Sequence, residues 1–339
     1  MSNPRADAPA TARLPIIAVD AMGGDNAPAA VVAGALLARR DGLGRIVLVG
    51  DRARIAPLLG AETEIEIVHA AGAVAMDAAA ASAVRNASGT SLGDAVDLVR
   101  DGKADAVVSA GNSGAFLGIA LIRLRTIPGI ARPAIGAVLP GRHGPVVLCD
   151  AGANVDCKPE WLCQFGIMGS AYAKAALGVA DPRVAIISVG EERSKGNAQT
   201  IEAAALLERA PLRFVGNVEG KDVFVNGADV VVADGFVGNV ILKTAEGAAV
   251  FVRDALREAY AGASPLGKVG GLLSRGAFAA LRKKTDYATY GGAPLLGVRG
   301  NCIVAHGRSD ATAVRNAIKQ AAALARADLV GVIAAVVAA

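Results

Sequence analysis

The residues that could do chemistry sit at the ends of short apolar runs. Val184–Val189 gives way to Gly190–Asn197, GEERSKGN, with Lys195 and Asn197; Val146–Cys149 gives way to Asp150–Asp156, with Asp150 and Asn154. Ala228–Ala233 ends in Asp234–Asn239, DGFVGN, and Cys302–Ala305 delivers His306. Pro15–Val19 runs into Asp20, Gly23 and Gly24, and Ala104–Val108 into Ser109–Ala115 with Asn112. Amines, amides and carboxylates repeated at strand ends make a polar pocket that can hold an anion. At Asp234–Asn239 the expectation is sharper. Gly238 lets backbone approach a ligand, Asn239 caps the helix starting at Val240, and unpaired N–H groups there favour a phosphate or an oxyanion. An ordinary strand-turn-helix has the same composition, and a histidine at a strand end is often only a structural hydrogen-bonder.

These loops need strands to carry them. Short valine-rich runs alternate with helical patterns at Val31–Leu37, Leu92–Arg100 and Gly247–Ala261, which predicts a mostly parallel sheet. In such a sheet the loops at the carboxyl ends should converge on one crevice. Gly216–Asp222 reads as a second polar wall or a solvated turn, and Tyr290–Val298 as a tight apolar turn. Ser309 or Asp310 can cap the last long helix. Met1–Arg13 reads as a disordered tail and residues 14–339 as a single catalytic α/β domain.

Composition narrows the function. The net charge of +4 and 4% aromatic residues argue against nucleic acid. The 4 cysteines, Cys149, Cys157, Cys163 and Cys302, show no metal-cluster spacing and suit reduced cytosolic thiols. Hydrophobic residues reach 53%, yet the runs are broken, so no segment is expected to reach the roughly 18 residues of a membrane span.

Residues 253–285 differ from the rest. Seven basic residues face two acidic ones between Arg253 and Lys284; Lys268, Arg275 and Arg282 recur every seven residues, and Leu266, Leu273 and Ala280 do the same. This predicts a projecting basic amphipathic helix over Leu266–Lys284, with Leu272 and Leu273 on offer to a membrane or a carrier protein.

Taken in order, VDAMGGD (Val19–Asp25), SAGNSGA (Ser109–Ala115), DAGAN (Asp150–Asn154), GEERSKGN, GNVEGKD (Gly216–Asp222), DGFVGN and YGGAPLLGV through HGRS resemble the bacterial phosphate acyltransferases. The resemblance spans about Leu14–Leu324. It implies a three-layer α/β/α sandwich like those of phosphotransacetylases and isopropylmalate dehydrogenases. It also implies transfer of a fatty acyl group from acyl carrier protein to inorganic phosphate in phospholipid synthesis, no cofactor, and a homodimeric cytosolic enzyme that visits an anionic membrane. A meeting with the next acyltransferase of the pathway is a further partner to consider.

On that footing, direct attack of phosphate on the thioester is expected rather than an acyl-enzyme, because no Ser-His-Asp or Cys-His arrangement is legible. Lys195, Asn197 and the N–H groups of Gly238 and Asn239 are the candidates for phosphate. His306 or Asn154 would serve the oxyanion and leaving thiolate. Asp20, Asp150 and Asp234 would orient these groups, with Gly23, Gly24 and Asn112 lining the substrate site. The competing readings are a decarboxylating dehydrogenase of related fold, which needs a metal-binding carboxylate cluster, and a membrane-surface scaffold that uses only the basic helix.

Overall fold

The computed structural model describes residues 13–62, 64–225, 227–278 and 291–338. The expected N-terminal tail lies outside them except for Arg13, which is held by Asp105 at 2.6 Å. The strands are β1 (Ile16–Asp20), β2 (Arg45–Gly50), β3 (Glu66–His69), β4 (Ala106–Ser109), β5 (Ala134–Pro140), β6 (Pro145–Cys149), β7 (Arg183–Ile187), β8 (Arg213–Val218), β9 (Val230–Val232), β10 (Ala293–Leu296) and β11 (Asn301–Val304). They form one sheet in the order β3-β2-β1-β4-β11-β10-β5-β6-β9-β7-β8.

Helices cover both faces, and the strand pleat shows why. Ile17 and Val19 of β1 enter one apolar cluster while Ala18 enters another; on β9, Val230 and Val232 go to one side and Val231 to the other. Strands so buried on both faces read as continuous apolar runs. The first face carries α1 (Ala29–Arg40), α2 (Arg52–Leu59), α6 (Pro159–Leu177), α7 (Ala198–Leu207), α10 (Ala311–Arg326) and α11 (Leu329–Ala338). The second carries α3 (Ala80–Arg85), α4 (Ser91–Arg100) and α5 (Ser113–Leu124), then the start of α8 (Gly235–Ala261). The result is the expected α/β/α arrangement with a mostly parallel sheet.

One feature of the sheet was not expected. β10 is antiparallel to both β11 and β5, and β5 is antiparallel to β6. The strands β6, β9, β7 and β8 therefore run opposite to β1 to β4 and β11 in the ladder. The predicted apolar turn at Tyr290–Val298 contains β10. Pro294 disguises it, and fits because it stands near the strand start, where only β11 pairs with it. The Gly216–Asp222 stretch likewise begins inside β8, an edge strand.

Candidate functional site

The strand-end loops, expected to converge on one crevice, fall into two groups along the sheet, because the strand direction reverses between them. In the first group, after β1, β4 and β11, Asp20 is buried and accepts from the Ser109 hydroxyl at 2.7 Å and from Met22 N at 3.2 Å. Ser109 Oγ in turn accepts from Gly111 N at 3.0 Å. Asp25 N donates to Gly307 O at 2.8 Å, which joins the β1 and β11 loops. A Cβ at Gly23 would lie 2.5 Å from Asp20 Oδ2, so glycine is required there for close approach. Gly24 has φ +106°, in the left-handed region. Ser109 was not singled out in the sequence; its place at the end of a strand opposite Asp20 was the available signal.

Asn112 is a correction. Its Oδ1 caps α5 through Ala115 N at 2.9 Å, and both amide hydrogens go to Met76 O and Ala78 O at 2.9 Å. Its side chain is spent on structure, which removes it from substrate contact. His306 is exposed, accepts from Arg308 N at Nδ1 over 3.2 Å, and so carries its neutral-state proton on Nε2. The exposed Arg308 beside it is a cation that sequence reasoning passed over, although HGRS displays it.

In the second group, after β6, β7 and β9, Asp150 is fully buried and its carboxylate accepts from five donors. These are Ile135 N, Gly152 N, Ala153 N, Asn154 N and the Asn154 side-chain amide, at 2.7–3.2 Å. Burial pushes the carboxyl up and these N–H groups oppose it. Asp150 thus shapes the loop and has no bond to spare for a substrate. Asn154 gives its second amide hydrogen to Pro133 O at 2.8 Å, so its side chain cannot donate to an oxyanion.

The start of α8 also differs from expectation. Asp234, not Asn239, caps it, accepting from Val237 N at 2.9 Å. Gly235 N donates to Asn154 O at 2.6 Å and Gly238 N to Asp234 O at 2.8 Å. The Gly238 N–H is therefore not available to a phosphate. Glycine is needed at 238 because a Cβ would collide with the Asp150 carbonyl oxygen. Asn239 is exposed, with Oδ1 beside Gly152. Asn197 caps α7 through Thr200 N at 2.8 Å. Lys195 is exposed and its aliphatic stem lies against Gly190. Gln199 Nε2 reaches Cys157 O at 2.9 Å and ties the β7 loop to the β6 loop.

The exposed polar side chains at the rims are thus Lys195 and Asn239 here, and His306 and Arg308 in the first group. Burial raises the thiols of Cys149, Cys302, Cys163 and Cys157, the last to about 11. Among the described residues no group of three His, Cys, Asp or Glu side chains is gathered for a metal ion.

A family model described as "Fatty acid synthesis protein" matches residues 16–331. A phosphate acyltransferase of Myxococcus xanthus is 51% identical over 316 residues, covering 91% of this chain and 90% of that protein. One from Desulforudis audaxviator is 49% identical, covering 94% and 95%. The chain belongs to the phosphate acyltransferase family. It is accordingly an acyltransferase. Among solved structures, a phosphotransacetylase from Streptococcus pyogenes superposes with TM-score 0.63 at 19% identity, covering 92% of this chain and 94% of that one. A 4-hydroxythreonine-4-phosphate dehydrogenase from Klebsiella pneumoniae gives 0.52 at 15%, covering 91% and 99%. At these identities the likeness concerns the fold alone. The dehydrogenase reading thus shares the architecture of this family member but not its close sequence relationship.

The predicted basic helix is shorter than expected. α9 spans Pro265–Leu273 and a turn at Ser274 separates it from helical residues Arg275–Phe278. Arg282 and the side chains of Lys268 and Leu272 lie outside the described residues. Gly271 lets α9 approach Tyr260 of α8, where a Cβ would be 2.5 Å from the ring, and Phe278 packs edge-on against that ring at 5.3 Å. Leu273 is exposed, as is Arg275. By length and composition α8 is long and apolar enough to cross a membrane, contrary to expectation. Charges such as Lys243 and Glu246 interrupt its apolar runs in sequence without lowering the helix average enough to exclude it.

Proposed function

We propose that this acyltransferase moves a fatty acyl group from the thioester of acyl carrier protein to inorganic phosphate, without an acyl-enzyme, to supply acyl phosphate for phospholipid synthesis. The observation that carries the reading is about 50% identity, over nine-tenths of both chains, to proteins named phosphate acyltransferase. Direct attack is supported by the thiols, since a thiol raised by burial supplies little thiolate nucleophile. A phosphate oxygen adds to the thioester carbonyl carbon and the carbonyl electrons move to oxygen. The resulting oxyanion collapses, the C–S bond breaks, and the carrier thiolate leaves and takes a proton. Lys195 offsets the charge of phosphate, with Asn239 beside it. His306 donates from Nε2 to the oxyanion or the leaving sulfur.

For His306 and Lys195 to share a site, the two loop groups must face each other. Five ladder steps separate β11, which delivers His306, from β7, which leads into Lys195. At about 20–25° of twist per step the accumulated rotation is about 100–125°, which offsets part of the reversed strand direction and swings the two groups toward each other. A double-mutant cycle on Lys195→Ala and His306→Gln tests this. Non-additive losses of turnover are expected, and additive ones would separate the sites. The reaction itself is tested by incubating the protein with palmitoyl-acyl carrier protein and phosphate and trapping acyl phosphate with hydroxylamine. Absence of phosphate-dependent hydroxamate would overturn the assignment.

We further propose a cytoplasmic homodimer that rests reversibly on anionic membrane. α8 is about 40 Å long by its 27 residues, yet only Gly235 and Gly238 are buried, so its apolar face needs a partner. Leu266 and Leu273 are both 81% exposed at the far end of this helical pair, with Arg253, Arg257 and Arg275 exposed nearby in sequence. Leu266→Glu with Leu273→Glu should abolish flotation with anionic liposomes. If flotation persists and charge reversal at Arg275 instead impairs turnover with acyl carrier protein, this segment docks the carrier. A contact with the next acyltransferase would use the same surface.

A further inference from the structure

Four apolar side chains stand exposed around the start of α8: Val155 at 60%, Val189 at 81%, Phe236 at 62% and Val240 at 48%. Val155 and Val189 come from two strand-end loops, and Phe236 and Val240 from the first turns of α8. Val155 follows Asn154, whose carbonyl accepts from Gly235 N at 2.6 Å, and Phe236 follows Gly235. Val189 stands three residues beyond Ile186, which pairs with Val232, and Gly235 stands three beyond Val232. Phe236 and Val240 are one helical turn apart on the outer side, whereas Val237 and Ile241 pack on the sheet. Single exposed valines are ordinary, but exposed apolar groups on two neighbouring strand-end loops and on the helix start bonded to one of them are not.

Along the chain these residues adjoin exposed polar groups. Val189 precedes Gly190, against which the Lys195 stem lies, and Asn239 is adjacent to Val240. We propose that this strip is where the alkyl chain of the acyl group lies, with Phe236 setting the preference for long chains. The inference rests on the acyl-transfer reading above. A carbonyl carbon held beside phosphate at Lys195 carries its hydrocarbon away from that point, and the exposed side chains of Phe236, Val240, Val155 and Val189 offer it apolar contact. Burial of chain methylenes against Phe236 then scales with chain length, as discrimination by a hydrophobic surface does.

The test compares palmitoyl- and hexanoyl-acyl carrier protein in wild type, Phe236→Ala and Phe236→Leu, with direct binding of cis-parinaric acid measured by its fluorescence. In Phe236→Ala the ratio of palmitoyl to hexanoyl kcat/KM should fall about tenfold and parinaric acid binding should weaken in step, with partial recovery in Phe236→Leu. An equal fall for both chain lengths would overturn the proposal, as would a loss accompanied by a change in molar mass by light scattering, which would give the strip to a second copy. Wild type that forms acyl phosphate from neither substrate refutes the acyl-transfer reading. Parinaric acid binding dependent on Phe236 would still support an alkyl site in that case, and its independence of Phe236 would refute one.

Discussion

In the loops after β1, β4 and β11 the buried Asp20 carboxylate is bonded by the Ser109 hydroxyl and Met22 N, with Ser91 and Gly23 N close by, whereas in those after β6, β7 and β9 Asp150 is met by five N–H donors. The first arrangement joins two strands through side chains, Asp20 to Ser109. The second folds one loop around a single acceptor and then seats a helix on it through Gly235 and Gly238. In both, the residue that looks most chemical in sequence is the hub, and exposed polar side chains sit on the rim, His306 and Arg308 in one and Lys195 and Asn239 in the other.

The largest expected effect tests the difference between hubs. Asp150→Ala leaves five donors without their acceptor and should cost about 3–5 kcal/mol, read as a shift in denaturant midpoint. Asp20→Ala should cost less, on the order of 1–3 kcal/mol, since it accepts only two hydrogen bonds within 3.2 Å, from Ser109 and Met22. Equal losses would erase the distinction drawn between the two loops.

Rim residues should behave in the opposite way. Lys195→Ala is expected to lower turnover by roughly ten- to a hundredfold, about 1.5–3 kcal/mol, while the unfolding midpoint stays put. Asn197→Ala should instead lose about 1 kcal/mol of stability through its cap on α7. A strong loss of turnover in Asn197→Ala at unchanged stability would return it to the catalytic role its motif suggested.

Gly238→Ala probes how the helix is seated. The added methyl meets the Asp150 carbonyl oxygen, so α8 must shift, at a cost on the order of 1–3 kcal/mol. Gly247→Ala on the same helix meets nothing and should be neutral or slightly stabilising. Thermal melts of the pair decide whether glycine at 238 serves packing, as argued here, or ligand approach.

Much of this was legible in the sequence for a physical reason. Strands buried on both faces declare themselves as valine runs, and caps such as Asp310, which accepts from Ala313 N at 2.8 Å, are local. What was not legible depends on partners distant in the chain. The reversal at β10 rests on pairing with Ala134 and Ile135, more than 150 residues away, and Pro294 hides the strand. Asn112, Asn154 and Gly238 look like ligand contacts until the carbonyls they serve or approach, those of Met76, Pro133 and Asp150, come into place. A polar residue at a strand end signals a hydrogen bond, and only the fold says to what.

The smallest effect concerns a pair that supports the second group from the opposite ends of its strands. Arg183 at the start of β7 donates through Nε and Nη2 to Asp229, just before β9, at 3.1 and 3.0 Å, and its backbone N donates at 2.9 Å. Partial burial pushes the Asp229 carboxyl up, but the bonds from Arg183 outweigh it and hold the carboxyl below its ordinary value. A carboxyl lowered in the folded state contributes stability that is present above its unfolded pKa and lost as pH falls through the folded one. Wild type should therefore exceed Asp229→Asn by about 1 kcal/mol at neutral pH, modest because the pair is part exposed, and the gap should close progressively below about pH 4. Urea titrations of both proteins across that range measure it. A gap that widened as pH fell would mean that Asp229 is stabilised in its protonated form, and that β7 and β9 are aligned by something other than this ion pair.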